Sequence, residues 1–192
     1  MQARLLQIDT ALVAPRTVAR RFRENEGEAL YNLTQDNYSR LEDHFPRTME
    51  AIRDKESAEY FVREMLAGWL LQKEYAFGVW ENKSATLIGM MRLLHIDWRV
   101  PKAELNYFID KEHAGKGLMT ESVKALLRFA FHQLELEKIY IRTAMDNTPS
   151  QRLARKLGFR REGDLRADFK KTSGETIDVM LFGLTRGEFL GI

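Results

Sequence analysis

The sequence predicts an α/β chain of the α+β kind, a mixed and mostly antiparallel central sheet of about seven strands with helices on both faces. Three observations predict it. Hydrophobic spacing switches along the chain between the two-residue step of a strand and the three-to-four-residue step of a helix, in the order βαα, ββ, β, α, β, α, ββ. Two pairs of strand-like runs are parted by short polar turns, one at Asn82, Lys83 and Ser84 and one at Thr172, Ser173 and Gly174. The 192 residues are 44% hydrophobic, without repeat, low-complexity segment or linker, which suits one domain over 1–192.

Residues 18–22 are β-branched at their start and read as a strand. Ala29, Leu30, Leu33 and Leu41 follow at helical spacing, as one or two helices. Residues 55–73 form the better helix: Phe61, Met65 and Trp69, with Tyr60, Leu66 and Leu70, recur at three- and four-residue steps, and Asp54 or Ser57 suits its N-cap. The strands 75–81 and 86–96 make the first hairpin. The second of them is apolar on both faces near Leu87 to Met91, which places it centrally in a sheet covered on both sides. Residues 103–109 alternate, with Leu105, Tyr107 and Ile109 on one face and Glu104, Asn106 and Phe108 on a more polar one. A glycine-bearing turn over 113–119 leads into a helix over 120–133. Residues 138–143 are a strand, Thr148 with Pro149 and Gln151 suggests a capped helix ending at Leu157 and Gly158, and 159–169 with 175–184 form the last hairpin.

The charge balance excludes more than it suggests. Thirty Lys and Arg against 28 Asp and Glu give a formal +2, too little for bulk attraction to nucleic acid or a membrane surface, and neither partner is expected. The near-neutrality hides segregation, because ten Lys and Arg stand against four Asp and Glu between Lys138 and Lys171. With no cysteine there is no disulfide, thiolate metal site or cysteine nucleophile. No apolar run nears the roughly 20 residues of a membrane span, and residues 1–12 lack a basic start followed by an apolar run, so a cytoplasmic protein is expected. His44, His95, His113 and His132 are isolated and lack ligand spacing, so no metal is expected. Trp69, Trp80 and Trp98 read as core, with Trp98 and Tyr38 able to reach an acceptor cleft.

The informative stretch is YFIDKEHAGKGLMTE, residues 107–121. A strand runs into Gly115, Lys116 and Gly117 and a helix begins at once, so backbone N–H groups and the positive end of the helix dipole converge where an anion could sit. A Walker loop fails because Lys116 precedes Gly117 rather than Ser or Thr, and a dinucleotide fingerprint fails because Thr120 stands where its third glycine belongs. A coenzyme A pyrophosphate loop survives. On these residues alone, a helix start in which glycine only tightens the turn remains an alternative.

Glu112, His113, Ala114, Gly115, Lys116 and Gly117 resemble the pyrophosphate loop of the GNAT superfamily of acyl-CoA-dependent N-acetyltransferases. That loop reads Gln or Arg, two residues, Gly, one residue, Gly or Ala, and Glu112 departs from it at the first position. The flanking words AELNYFID and GLMTESV are similar to the RimJ/RimL-like branch, the ribosomal-protein N-terminal acetyltransferases. So is the block DNTPSQRLARKLGFRREG, residues 146–163. The resemblance spans about 16–185 and implies the GNAT fold and acetyl-CoA as co-substrate. It implies coenzyme contacts at Phe108 and Ile109, where the strand parts from its neighbour, at His113, Ala114, Gly115, Lys116, Gly117, Leu118, Met119 and Thr120, and at Asn147 and Arg152. Glu112 would point away, leaving the backbone to bind.

The implied reaction is attack of a primary amine on the thioester, which needs an oxyanion donor and a proton for the leaving thiolate. By resemblance Ser150 is the proton donor, with Asn147 binding pantetheine or orienting it, and Glu104 is the site of a water-relayed base. Otherwise Ser150 merely sits near a cap and Glu104 is a solvated strand-edge carboxylate. An α-amino group of pKa about 7.7 to 8.0 is roughly a tenth or more unprotonated at neutral pH, whereas a lysine at about 10.4 is unprotonated only to about one part in 2,500. One weak base therefore suits a protein N-terminus such as that of a ribosomal protein. A small amine acceptor (polyamine, amino acid or antibiotic) and a non-catalytic acyl-CoA sensor are the alternatives, and homodimerisation stays open. The Asp36, Glu42, Asp43 and Glu50 group would suit a polyamine or simply form a solvated face.

Overall fold

The structure is a computed structural model and describes residues 8–189, so the sequence readings of 1–7 and 190–192 lie outside the described residues. Eight strands form one sheet: β1 (Ala11–Val13), β2 (Thr17–Arg20), β3 (Tyr75–Glu81), β4 (Leu87–Asp97), β5 (Lys102–Ile109), β6 (Lys138–Ala144), β7 (Arg160–Lys170) and β8 (Thr176–Thr185). The helices are α1 (Gly27–Asp36), α2 (Tyr38–Leu41), α3 (Pro46–Ala51), α4 (Lys55–Leu70), α5 (Leu118–Arg128) and α6 (Thr148–Lys156). The spatial order is β1-β2-β3-β4-β5-β6-β8-β7, and every neighbouring pair is antiparallel except β5 with β6.

The predicted α+β sheet with helices on both faces is the observed one, with eight strands in place of about seven. The extra strand is β1, whose three residues bury only Leu12 and leave Val13 73% exposed, too short a pattern to carry a periodic signal. β4 occupies the central position expected of it. Ile88, Met91 and Leu93 pack on one side with Val123, Leu126 and Leu127 of α5, and Leu87 and Met90 pack on the other with Leu30 of α1, Val62 and Met65 of α4 and Ile52 just after α3.

Local chemistry fixes the helix ends. Asp54 caps α4 by accepting from the Ser57 N–H at 2.7 Å while Ser57 Oγ takes the Asp54 N–H at 2.9 Å, so both predicted cap residues act together. α4 buries Phe61, Met65 and Trp69 as expected, but Tyr60 and Leu70 face outward at 65% and 63% exposure. Trp69 meets Tyr75 and Phe77 edge-on, with ring centroids 4.8 and 5.1 Å apart, contacts worth about 1 kcal/mol each beyond burial. The helix expected to run through Gln133 is α-helical to Arg128 and then widens into a π turn over Phe129–Gln133, where the Leu134 N–H reaches the Phe129 carbonyl. The wider turn lets Phe129, Ala130 and Phe131 all face the core. α6 is capped by Asn147 rather than Thr148. The Asn147 side chain accepts from the Ser150 N–H at 3.2 Å, and Gln151, expected to reach back to a cap, instead gives its amide to the carbonyls of Ala144 and Met145.

Candidate active site

One sheet irregularity creates the site. β5 and β6 pair only through Lys102, Ala103 and Glu104 with Lys138, Ile139 and Tyr140. Beyond these residues the strands separate, and a cleft of about 960 Å³ opens between Leu105 to Ile109 on one side and Ile141 to Ala144 on the other. The split frees the β6-facing backbone groups of β5, which would otherwise bond within the sheet. On its other side β5 is held close to β4, where a Cβ at Gly89 would lie 2.6 Å from the Phe108 carbonyl oxygen.

The glycine turn closes one end of this cleft. Gly115 and Gly117 hold φ of +75° and +82°, a region that costs an L side chain energy and admits glycine freely. Among the described residues no side chain caps α5, and its first intrahelical bond is from the Glu121 N–H to the Gly117 carbonyl at 3.1 Å. The N–H groups of Leu118, Met119 and Thr120 are therefore the helix's open donors, on a wall shared with His113, Ala114, Gly115 and Gly117. Phe108, Ile109, Asn147, Ser150 and Arg152 line the same cleft. Lys116 does not; its carbonyl accepts from Arg16 Nη2 at 2.9 Å. Glu112 lies outside the cleft, on a separate hollow of about 460 Å³ against α1.

Opposite the turn, Ser150 Oγ stands 2.9 Å from Tyr107 Oη. Burial pushes the Tyr107 hydroxyl up to about 12, more than the hydrogen bond with Ser150 lowers it, so the phenol keeps its proton at neutral pH. Arg152 and Lys156, one turn apart on α6, add positive charge to the cleft wall.

Glu104 is placed differently from what was expected of it. It is a buried residue of a central strand, not a strand-edge carboxylate, and it is absent from the cleft wall. Arg142 Nε and Nη2 bond its two oxygens at 3.1 and 2.9 Å, and His95 Nδ1 lies 2.8 Å from Oε2. A carboxylate so engaged holds Arg142 in place. Burial would lower the Arg142 pKa, but the bonds and charges of Glu104 and Asp168 outweigh it and raise the pKa. His95 reaches Glu104 through a bulge at which its own φ is +51°.

Several contributors gave no sequence signal, because their partners are distant in the chain. Buried Asn37 gives its amide to Asp110 Oδ1 at 2.8 Å and accepts the Lys111 N–H at 2.8 Å. Asp110 in turn holds His113 Nδ1 at 2.7 Å, fixing the start of the turn. Burial would raise the Asp110 carboxyl, but the bonds from Asn37, His113 and the Glu112 N–H keep it below its usual range. Ser39, Arg40, Asp43, His44 and Phe45, with Phe169 and Lys171 of the last hairpin, also line the cleft; Tyr38 and Trp98 do not. Trp98 Nε1 bonds the Gln72 carbonyl instead.

The profile of the acetyltransferase (GNAT) domain family matches residues 16–160. The chain belongs to the GNAT family. An uncharacterized N-acetyltransferase, p20 of Bacillus licheniformis, is 35% identical over 115 residues, 60% of this chain and 64% of that protein. The ribosomal-protein-serine acetyltransferase of Escherichia coli K12 is 27% identical over 161 residues, 81% of this chain and 86% of that one. The first relatives are matched over 55% to 64% of their own length. In fold, the crystal structure of the ribosomal-protein-S5-alanine acetyltransferase from Vibrio fischeri superposes with a TM-score of 0.86, covering 94% of this chain and 99% of that one at 19% identity. The GNAT assignment accounts for the split sheet and the glycine turn as one feature, since each supplies backbone groups to the same cleft. Among the described residues no cluster of His, Asp and Glu could hold a metal ion, and no helix is long and apolar enough to cross a membrane.

Proposed function

We propose that this GNAT protein transfers an acetyl group from acetyl-CoA to a primary amine, the N-terminal α-amino group of a protein such as a ribosomal protein, by direct attack within a ternary complex. The observation that carries the reading is the Tyr107 and Ser150 hydroxyl pair, 2.9 Å apart and in one cleft with the uncapped glycine turn. In this reading acetyl-CoA supplies the thioester. The N–H groups of Gly117, Leu118, Met119 and Thr120 bind its pyrophosphate, Arg152 and Lys156 add charge, and backbone groups freed near Phe108 and Ile109 bind pantetheine and polarise the reacting carbonyl. Asn147 fixes Ser150 by capping α6, and Ser150, hydrogen-bonded to Tyr107, gives a proton to the departing thiolate and is restored by the proton that the attacking amine loses as the amide forms. The chain has no cysteine to carry the acetyl group, which favours direct transfer.

Glu104 in this scheme positions Arg142 on the cleft wall and moves no proton. An α-amino acceptor tolerates the lack of a dedicated base, being roughly a tenth or more unprotonated at neutral pH. The test is thiol release and product mass with a panel of amines. Acetylation of a ribosomal-protein N-terminal peptide is expected. Turnover of spermidine alone would overturn the protein acceptor and leave a small-amine enzyme, and coenzyme A binding without thiol release from any amine would leave a sensor.

A further inference from the structure

The turn that faces the cleft is clamped from outside by a residue of the β1–β2 connection. Arg16 Nη2 donates to the Lys116 carbonyl at 2.9 Å, and Arg16 Nε donates to Glu121 Oε1 at 3.0 Å, so one guanidinium spans both sides of Gly117. It lies against the turn closely enough that a Cβ at Gly117 would come within 3.3 Å of Nη2. The Arg16 backbone is pinned too, because its carbonyl accepts from the Asn82 N–H at 3.0 Å. Next to it Thr17 Oγ1 and Ser122 Oγ are 2.7 Å apart and buried, and Ser122 Oγ reaches the Leu118 carbonyl at 3.0 Å.

Two physical consequences follow from this clamp. In a trans peptide the C=O and the next N–H point in opposite directions. With the Lys116 carbonyl drawn outward to Arg16, the Gly117 N–H is turned inward, toward the cleft that Gly117 lines and Lys116 does not. The second consequence is electrostatic. Glu121 sits in the first turn of α5, where a carboxylate suits the helix dipole but opposes any anion bound at the same helix end. Its Oε2 is buried without a partner among the described residues, and Oε1 takes both Arg16 contacts. Arg16 therefore neutralises the one acidic side chain of that turn.

We infer that Arg16 is a positioning residue for coenzyme binding: it aims the Gly117 N–H and cancels the Glu121 charge so that the glycine turn accepts a pyrophosphate. The inference rests on the acetyl-CoA reading of the cleft. Arg16 itself stays outside the cleft and acts through the turn.

The test measures calorimetric affinity for coenzyme A, which carries the pyrophosphate, and for pantetheine, which lacks it. Arg16→Gln is expected to weaken coenzyme A about tenfold and leave pantetheine unchanged. Arg16→Gln with Glu121→Gln is expected to recover the part of that loss that comes from the Glu121 charge, which a merely structural role for Arg16 would not produce, and no recovery at all overturns the inference. Glu121→Gln alone is expected to tighten coenzyme A, and this variant decides the matter if Arg16→Gln does not fold. Unchanged coenzyme A affinity in Arg16→Gln, equal loss of both ligands, or weaker binding by Glu121→Gln overturns the inference. Wild-type protein that binds neither ligand overturns the acetyl-CoA reading itself, and this inference with it.

Discussion

Tyr107 Oη and Ser150 Oγ stand 2.9 Å apart where the separated end of β5 meets the first turn of α6. The two residues are 43 positions apart in sequence, and the contact exists only because β5 and β6 pair at one end and α6 begins just after β6. Burial keeps the phenol protonated up to about pH 12, so Tyr107 can donate a hydrogen bond to Ser150 Oγ while the proton that the attacking amine loses restores the Ser150 hydroxyl.

Ser150→Ala is therefore expected to lower kcat by about 10²- to 10⁴-fold, the range of a lost general acid, with coenzyme affinity nearly unchanged. Tyr107→Phe should cost about tenfold, since the Ser150 hydroxyl remains. Steady-state kinetics beside calorimetric coenzyme binding separates the terms. Equal loss in turnover and affinity for Ser150→Ala would make it only a structural residue of the helix start.

Tyr75 gives a stability prediction. Its hydroxyl is fully buried without a hydrogen-bond partner among the described residues, and burial pushes its pKa up to about 12. Tyr75→Phe removes that desolvated group and is expected to stabilise the fold by about 1 kcal/mol. The pH dependence has a defined sign. The folded state keeps this proton to about 12 while the unfolded chain loses it near 10. The contribution is thus complete below pH 10 and is lost as pH rises through 12, at up to about 1.4 kcal/mol per pH unit. Urea midpoints of wild type and Tyr75→Phe across pH 8 to 12 check both points. A less stable variant would show that the hydroxyl is satisfied in solution.

The elements legible in the sequence were those whose signal is local. Both hairpins, the long helix with its Asp54 and Ser57 cap and the glycine turn each follow from spacing or backbone preference within a few residues. β1 was not legible because three residues carry no period, and α2 and α3 are too short to separate from the helix before them. In the site, the turn and the Asn147 to Ser150 stretch could be read from the chain, whereas Arg16, Asn37 and the partners of Glu104 could not. Arg16 meets Glu121 across 105 positions and Asn37 meets Asp110 across 73, contacts that only the folded sheet creates. Glu104 shows the cost: its alternating strand pattern suggests a polar face, and the structure buries it against Arg142.

Glu104→Gln tests that reassignment. The amide keeps the shape but loses the charge facing Arg142, whose other carboxylate partner is Asp168 at 2.8 Å. Removing one member of a buried pair costs about 3–5 kcal/mol, and partial exposure of Arg142 brings the expected loss to the lower end, about 3 kcal/mol or less. The pH at which kcat reaches half its maximum should stay where it is in wild type. Thermal unfolding and a kcat profile over pH 6 to 9 check this, and a folded variant whose profile loses its limb would restore Glu104 as the base.

Thr172 Oγ1, at the tip of the β7–β8 hairpin, donates to the Glu42 carbonyl at 2.5 Å and so ties the hairpin to the segment between α2 and α3. The tie lies beside Asp43, His44, Phe169 and Lys171 in sequence, all four of which line the cleft. Lys171 keeps its charge to raised pH, chiefly through its hydrogen bond to Glu175, with Asp43 and Asp146 contributing. In the proposed reading the coenzyme takes the end at the glycine turn, which leaves this part of the cleft to the acceptor amine. Thr172→Val removes the donor at nearly constant shape, and one lost hydrogen bond of about 1 kcal/mol corresponds to about fivefold. The expected result is a several-fold rise in KM for the acceptor peptide, with coenzyme affinity and kcat unchanged. A fall in that KM would mean that the tie blocks the acceptor and must open before it binds. A parallel loss of coenzyme affinity would mean that the hairpin braces the whole cleft rather than its acceptor end.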